Sequence, residues 1–319
     1  MPVIITVSFN PAIDKSTSVP VLIAEKKLNC ALPVYEPGGG GINVARAIKK
    51  LGGEAVAVYL AGGYTGKTFT QLLTGEAVES IVTETKENTR ENLVVLETAS
   101  NQQYRFGMPG PTISEPEWQA CLKSIEKIKD VEYIVASGSL PPGIPTDIFA
   151  RIAFIARKKN ARLIVDTSGE ALKQAVQAGV YLIKPNLGEL SSLLGKEELN
   201  IELVDDAART IIDKGKCEVV VVSMGPAGAM LVTKDLALQI MPPSVKRKST
   251  VGAGDSMVAG MVLSLAENKS LIETVQYGVA CGTAATMNPG TELCRKEDAD
   301  YLYNIIRSKI PGAFKEVTT

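Results

Sequence analysis

The chain has 319 residues, enough to bury a large core, and its 45% hydrophobic and 22% charged residues are typical of a globular protein. A formal net charge of -1 provides no overall positive field, so we expect no nucleic-acid partner and no binding to anionic membranes. The absence of histidine excludes a Ser-His-Asp triad, a Cys-His pair and a histidine-ligated zinc site. Acid–base chemistry is left to Asp, Glu, Lys, Tyr or Cys.

The sequence carries no recognisable export or membrane signal. Its start, MPVIITVSFNPAID, has neither a basic n-region nor a cleavage site. No apolar run approaches the roughly 18 residues that a membrane span needs. The five cysteines are scattered without a C-x-x-C motif, as is typical of reduced thiols. We therefore expect a cytoplasmic protein.

Short apolar runs alternate with amphipathic segments along most of the chain. The runs VIITVSF, EAVAVYLAG, EYIVASG, ARLIVDTS, VYLIKPN and CEVVVVSMG predict buried strands. Helices are predicted over 42–51, 115–128, 147–159 and 204–214. This alternation predicts an α/β fold with three α/β/α layers and a mostly parallel central sheet. Polar and glycine-rich residues follow the strands, which indicates an anion-binding crevice at their carboxyl ends.

Two segments depart from this alternation. Residues 16–35 and 91–108 show strand-like patterns with no helix between the strands. They predict a small antiparallel sheet, whose half-apolar face would close over a site or pack against a copy of itself. We therefore divide the chain into an α/β core, residues 1–14, 37–89 and 109–319, and a lid, residues 15–36 and 90–108.

Two glycine-rich motifs lie in the first quarter of the chain. EPGGGGINVARAI places four glycines, 38–41, ahead of a predicted helix, so that backbone N–H groups can approach a ligand closely. Asn43 is then one turn into the helix on the ligand side. AGGYTGKT, residues 61–68, resembles a P-loop, but Ala61 replaces its first glycine. We interpret it as an ordinary strand, turn and helix.

Three motifs after later strands leave alternatives open. SGSLPPG, residues 137–143, offers hydroxyl groups on a stiff turn that could bind a phosphate or a sugar. In KPNLGEL, Asn186 and Glu189 either organise Mg²⁺ through water or form a helix N-cap. VSMGPAGAM, residues 222–230, is either a plain hairpin or the floor of a nucleotide site.

STVGAGDSM is the most informative motif. Gly252, Ala253 and Gly254 offer successive N–H groups at a helix N-terminus, a cradle for phosphate oxygens. Asp255 follows in the first helical turn, where the helix dipole keeps a carboxylate ionised. A base beside an anion hole is the pairing that phosphoryl transfer to a hydroxyl requires.

Taken together, GGGGINVARAI, SGSLPPG, KPN with its glutamate, VSMGPAG and STVGAGDSM resemble the PfkB (ribokinase-like) sugar kinases in order and spacing. The resemblance runs nearly end to end and implies ATP-dependent phosphorylation of a sugar hydroxyl. FNPAIDKS, YRFGMPG and NPGTELC are similar to members that act on fructose 6-phosphate at C1. Kinases for tagatose 6-phosphate and fructose 1-phosphate, which typically carry GGKG where this chain has GGGG, remain the alternatives.

The resemblance also implies a role for individual residues. In the reaction itself, Asp255 would be the base, and the anion hole would comprise Gly252, Ala253 and Gly254. Residues expected to hold the sugar are Asp14, Gly38, Gly39 and Asn43. Residues expected to bind its phosphate are Lys27, Arg90, Arg105 and Ser139.

Further residues are expected around ATP and the metal ions, again by resemblance. The ATP site would include Lys184, Asn186, Ser223, Gly225 and Gly228. Mg²⁺ would be held through water by Glu189, with Asn186 beside it. A K⁺ site would comprise Ser249, Val251, Asn288 and Gly290. The lid implies a homodimer.

Two other classes of function remain to be weighed. A non-catalytic sugar-phosphate sensor could share this fold, although the intact Asp255 argues against it. A NAD-binding oxidoreductase would need G-x-G-x-x-G directly after an early strand, whereas the glycine cluster here follows a strand of the lid.

Overall fold

The computed structural model describes residues 3–214 and 216–309, which form thirteen strands and ten α-helices. The strands are β1 Val3–Ser8, β2 Ala12–Val19, β3 Val34–Gly38, β4 Val56–Gly62, β5 Glu79–Thr85, β6 Arg90–Glu97, β7 Gln102–Phe106, β8 Val131–Ser137, β9 Arg162–Asp166, β10 Val180–Ile183, β11 Cys217–Ser223, β12 Ala229–Val232 and β13 Ala237–Ile240. The helices are α1 Gly40–Lys50, α2 Gly63–Gly75, α3 Glu115–Lys127, α4 Ile148–Lys159, α5 Gly169–Ala178, α6 Leu187–Leu193, α7 Val204–Asp213, α8 Ala253–Ala266, α9 Leu271–Thr286 and α10 Lys296–Lys309.

Nine strands form the central sheet in the order β13-β12-β11-β10-β9-β8-β1-β4-β5. Neighbours from β11 to β5 are parallel, and β12 and β13 add an antiparallel edge. The mostly parallel sheet predicted from the sequence is confirmed. Since parallel strands end on the same side, the loops after β1, β8, β9, β10 and β11 meet along one edge.

Helices cover both faces of this sheet, which explains why its strands are continuously apolar. Ile5 and Val7 of β1 pack into the core beneath α3, α4 and α7, whereas Ile4 packs into the core beneath α1, α8, α9 and α10. Val220 and Val221 of β11 likewise face opposite layers. Successive side chains of a strand point to opposite faces, so the same strands contribute residues to both cores.

The motif AGGYTGKT folds as the ordinary strand, turn and helix that its missing glycine indicated, with β4 leading through Gly62 into α2. The hairpin interpretation of VSMGPAGAM also holds, because β11 and β12 pair antiparallel around residues 225–227.

The small sheet comprises β2, β3, β6 and β7 in the order β3-β2-β6-β7. It is mixed rather than wholly antiparallel, since its two central strands, β2 and β6, run parallel. The antiparallel prediction holds for the hairpin-like pairs β2–β3 and β6–β7. The chain reaches β6 only after passing through the central sheet, so no hairpin sets its direction.

The apolar alternation of KLNCALPVY also predicted a strand, and this prediction was wrong for most of the segment. Residues 27–33 form no strand, and β3 begins only at Val34. The small sheet starts at Ala12 and returns to the core after Gly38, slightly outside the predicted lid boundaries, and the domain division itself stays a prediction. Among the helices described here, none is both long and apolar enough to cross a bilayer.

Candidate active site

Asp255 occupies the first turn of α8, where the motif STVGAGDSM predicted it. Gly252 is the N-cap residue and has a φ of 71°, in the left-handed region that favours glycine. A Cβ atom there would lie 2.6 Å from Leu293 Cδ2, so a larger residue would also require the Leu293 side chain to move. The segment Gly252–Gly254, called the amide turn below, thus presents its N–H groups beside the Asp255 carboxylate.

The environment of Asp255 makes it a stronger base than an exposed aspartate. Burial in the crevice and repulsion from Asp166 raise its pKa to about 6. The side-chain amide of Asn43, which donates to Asp255 Oδ2 at 2.9 Å, and the charge of Lys184 oppose this increase. The carboxylate is therefore ionised at neutral pH but close enough to its pKa to accept a proton.

Lys184 is the buried cation of the site. Its Nζ atom lies 3.1 Å from Asp166 Oδ1, and the side chain is 6% exposed. Burial opposes its charge, but Asp166 outweighs this effect and raises the pKa of the ammonium group. A Cβ atom on Gly254 would lie 3.5 Å from Lys184 Nζ. The ammonium group therefore stands at the edge of the amide turn, where a phosphoryl group could contact both.

The four glycines before α1 allow close approach between protein segments. Cβ atoms would lie 2.0 Å from Asp14 Oδ2 at Gly38, 2.4 Å from Ser137 Oγ at Gly40 and 2.4 Å from the Val7 carbonyl at Gly41. Gly39 has a φ of 111° and is the N-cap residue of α1. The glycines thus allow α1 to pack against the ends of β1 and β8. They also allow the end of β3 to lie next to Asp14.

Asp14 lies near the start of β2 in the small sheet, where Asn92 Nδ2 of β6 donates to its Oδ1 at 2.8 Å. Burial raises the pKa of Asp14, while Asn92 and the charges of Arg90 and Arg46 lower it. Asp14 and Asn43 both belong to the surroundings of Asp255, since each perturbs its pKa.

The residues expected to bind a substrate phosphate are brought together only in part. Arg90 donates from Nη2 to the carbonyl of Asn10, whose Nδ2 donates to Ser139 Oγ, both at 3.0 Å. Arg105 is exposed but reaches across to the core, with Nη2 3.0 Å from Thr250 Oγ1, two residues before the amide turn. Lys27 is exposed in the loop between β2 and β3.

Asn186 and Glu189 form the helix cap that the sequence left as an alternative. Asn186 Oδ1 accepts from the Glu189 amide at 2.9 Å, and Glu189 Oε2 accepts from the Asn186 amide at 2.8 Å. Burial raises the pKa of Glu189, and Oε1 lies outside this reciprocal pair. The cap therefore leaves one oxygen that fits a water ligand of Mg²⁺.

The other residues expected around ATP lie at the end of β11 and in the turn after it. Asn186 forms a bridge with Ser223, so the ends of β10 and β11 stay in register as they leave the sheet. Gly225 and Gly228 lie in the turn between β11 and β12. Since β10 and β11 are parallel, this turn leaves the sheet on the same side as Lys184, which follows β10.

The residues expected to hold K⁺ form two adjacent segments. The amide of Lys248 donates to the Thr286 carbonyl at 2.8 Å, and Ser249 Oγ donates to the Gly290 carbonyl at 2.7 Å. Ser249 Oγ also accepts from the Val251 amide at 3.2 Å, and Asn288 Nδ2 donates to the Leu293 carbonyl at 2.8 Å. These residues supply hydroxyl, amide and carbonyl oxygens without a carboxylate, a donor set that fits a monovalent cation.

Three residues that contribute to this geometry were not predicted from the sequence. Asp166 is the last residue of β9, Asn92 belongs to an ordinary strand pattern, and Arg46 lies within a predicted helix. In the sequence, Arg46 stands out only as a positive charge among the apolar residues of a predicted helix. Nothing in the sequence pairs Asn92 with Asp14.

The nine-stranded sheet, the small second sheet and the carboxylate beside the amide turn are the features of one class of enzyme. Residues 8–298 match the pfkB family carbohydrate kinases, and the chain belongs to this family.

Among individual relatives, ATP-dependent 6-phosphofructokinase isozyme 2 of Escherichia coli (strain K12) is 47% identical over 301 residues, 94% of this chain and 97% of that protein. The structure of phosphofructokinase-2 from Escherichia coli in complex with potassium has a TM-score of 0.93 and 46% identity and covers 96% of this chain and 100% of its own. The same enzyme in complex with fructose-6-phosphate has a TM-score of 0.91 and 45% identity, with the same coverage.

Proposed function

We propose that this protein transfers the γ-phosphoryl group of ATP to the C1 hydroxyl of fructose 6-phosphate, giving fructose 1,6-bisphosphate and ADP. The observation that carries the proposal is the position of Asp255, partly buried beside the amide turn, in a chain 47% identical to a 6-phosphofructokinase. The alternative sugars differ in where the phosphate and the free hydroxyl lie, and the same base could serve each of them.

In the proposed reaction, the C1 oxygen attacks the γ-phosphorus and Asp255 accepts the hydroxyl proton. A bond from phosphorus to the sugar oxygen forms as the bond to the ADP oxygen breaks. The N–H groups of Gly252–Gly254 and the ammonium of Lys184 stabilise the charge on the transferring group. Mg²⁺, when bound, would neutralise phosphate charge, and the Glu189 carboxylate is suited to hold it through water.

The sugar would lie between Asp14, Gly38, Gly39 and Asn43, because Asn43 donates to the base and Gly38 lies against Asp14, whose charge acts on the base. Its phosphate would be bound by Arg90 and Ser139, which are already linked through Asn10. The flexible side chains of Arg105 and Lys27 would complete this site, in keeping with their exposed positions. ATP would extend from Lys184 toward Asn186, Ser223, Gly225 and Gly228.

We also propose that K⁺ binds between the segments of Ser249, Val251, Asn288 and Gly290, and that it stiffens the amide turn. The oxygen donor set supports this proposal, as does the potassium complex of the relative. Two copies of the chain would associate through the small sheet, whose exposed apolar side chains support a homodimer. They are Val34, Tyr35, Tyr104 and Phe106, with Leu32 in the loop before β3.

The decisive experiment mixes the purified chain with MgATP and each of fructose 6-phosphate, tagatose 6-phosphate, fructose 1-phosphate and fructose, with and without K⁺. We expect ADP release to be fastest with fructose 6-phosphate and the product to carry its new phosphate at C1. Asp255→Asn should lower kcat by at least a thousandfold and leave ATP binding unchanged.

A faster rate on another sugar phosphate would transfer the assignment to that substrate. ADP release with none of them would favour a non-catalytic sensor. Near wild-type turnover in Asp255→Asn would reject Asp255 as the base.

A further inference from the structure

Arg46 of α1 is the largest charged side chain in the interior, with only 1% of its surface exposed. Every nitrogen of its guanidinium group has an acceptor. Nε and Nη2 bind the Glu76 carboxylate at 2.9 and 2.5 Å, and Nη2 also lies 3.0 Å from Glu36 Oε1. Nη1 donates to the Pro37 carbonyl at 2.7 Å. Glu76 therefore neutralises one side of the group, while its other side faces the active site.

The side of Arg46 that faces the active site contacts the partner of the base. Nη1 lies 3.5 Å from Asn43 Oδ1, a long contact, and Asn43 Nδ2 donates to Asp255 Oδ2 at 2.9 Å. An amide has two orientations related by a flip, and a positive charge favours the one that turns oxygen toward it. Arg46 thereby keeps the amide donor of Asn43 directed at Asp255.

A second connection runs from Arg46 toward the amide turn. Glu36, bound to Arg46 through one carboxylate oxygen, accepts a hydrogen bond from Thr291 Oγ1 through the other. Thr291 is 5% exposed and follows Gly290, whose carbonyl accepts from Ser249. Two residues further on, the side chain of Leu293 packs beneath Gly252. The segment 288–293, called the support loop below, is thus fastened on one side to Glu36 and on the other to the amide turn.

We propose that Arg46 is a positioning residue for phosphoryl transfer, which orients the Asp255 carboxylate through Asn43 and holds the amide turn through Glu36, Thr291 and the support loop. This inference rests on the kinase activity proposed above. Phosphoryl transfer depends on placing the base and the anion hole together, and a misplacement of about 1 Å can cost about a hundredfold in rate. One guanidinium group, linked to the base through Asn43 and to the anion hole through Glu36 and Thr291, constrains their separation.

A buried ion pair with Glu76 could exist for stability alone, and this alternative defines the controls. Arg46→Lys keeps the positive charge, but a single ammonium nitrogen cannot serve Glu76, Glu36, Pro37 and Asn43 together. Thr291→Val removes only the hydroxyl that joins the support loop to Glu36. Glu76→Gln is the matched control, because it alters the ion pair on the side away from the active site and keeps an acceptor for Arg46.

The experiment measures kcat and KM for ATP and fructose 6-phosphate in the wild type and all three variants, with thermal unfolding as a check on folding. We expect kcat to fall at least tenfold in Arg46→Lys and Thr291→Val, with KM for ATP within about threefold of wild type. Glu76→Gln should lower the unfolding temperature and keep kcat within about twofold. Values of kcat within twofold in both Arg46→Lys and Thr291→Val, or an equal loss in Glu76→Gln, would overturn the proposal.

A readout independent of turnover separates this inference from the proposed function. In Arg46→Lys the single ammonium nitrogen stays with the carboxylates of Glu76 and Glu36 and no longer contacts Asn43 Oδ1. The Asn43 amide can then flip, and Asp255 loses a hydrogen bond that favours its charged form. The other charged groups that face Asp255 are Asp166, Lys184 and Asp14, which the substitution leaves in place.

Carboxyl ¹³C titration of Asp255 should therefore show a higher pKa in Arg46→Lys than in the wild type and an unchanged pKa in Glu76→Gln. A wild type inactive on every sugar would reject the proposed function, yet this titration would still decide the role of Arg46. An Asp255 titration unaffected by Arg46→Lys would overturn that role.

Discussion

Replacing Asp255 with asparagine should make the protein more stable at alkaline pH. The pKa of this carboxyl is about 6 in the folded protein, against 3.8 for an unperturbed aspartate, because burial and Asp166 oppose its charge. The folded state thus binds the proton more tightly, and ionisation costs stability as pH rises from 4 to 7. A difference of about two pKa units lowers the free energy of unfolding, relative to a group that stays neutral, by about 3 kcal/mol at pH 8. At pH 5 the loss is about half of that.

Thermal unfolding followed by circular dichroism at pH 5 and pH 8 tests this reasoning. We expect Asp255→Asn to raise the unfolding temperature by about 5 °C at pH 8 and by about half as much at pH 5. Asp235→Asn, at an exposed aspartate in the turn between β12 and β13, is the control and should change neither value. An unfolding temperature that is unchanged or lower at pH 8, or a gain that is equal at the two pH values, would refute the assigned electrostatics.

Two further predictions concern activity. Because the base must be ionised, kcat at saturating substrate should decrease with falling pH through an acid limb at or above pH 6, and a limb below pH 5 would contradict the raised pKa of Asp255. Gly38→Ala should raise KM for the sugar phosphate at least tenfold, since a Cβ atom there lies 2.0 Å from Asp14 Oδ2. The matched control is Gly75→Ala, where the added methyl group meets no atom within 4 Å apart from its chain neighbours and the adjacent backbone of its own helix. Equal KM values in the two variants would show that Asp14 does not bind sugar.

The buried strands of the central sheet could be predicted because parallel strands covered on both faces are continuously apolar. β1, β4, β8, β9, β10 and β11 all carry this pattern. β5 lacks this pattern and was not predicted, since it lies at the edge of the sheet and several of its side chains are exposed. The parallel pairing of β2 with β6 could not be predicted either, because register between distant strands is set by the core that separates them.

The candidate site was predictable where backbone geometry demands particular residues. The amide turn needs Gly252 for its positive φ, so the position of Asp255 could be predicted from the motif alone. The pKa of Asp255 could not, because its largest causes are burial and a carboxylate 89 positions earlier in the sequence. The same holds for Arg46, whose acceptors come from β3, α1 and the residue that follows α2.

The parallel pairing of β2 and β6 has a consequence for the order of folding. Asp14 and Asn92, bonded across these strands, are 78 residues apart in the chain. Closing a flexible loop of that length costs about 4 kcal/mol before any contact is gained, whereas prior folding of α1, β4, α2 and β5 shortens the effective distance. The small sheet is therefore not an autonomous folding unit, and refolding experiments should detect its contacts after those of the central sheet.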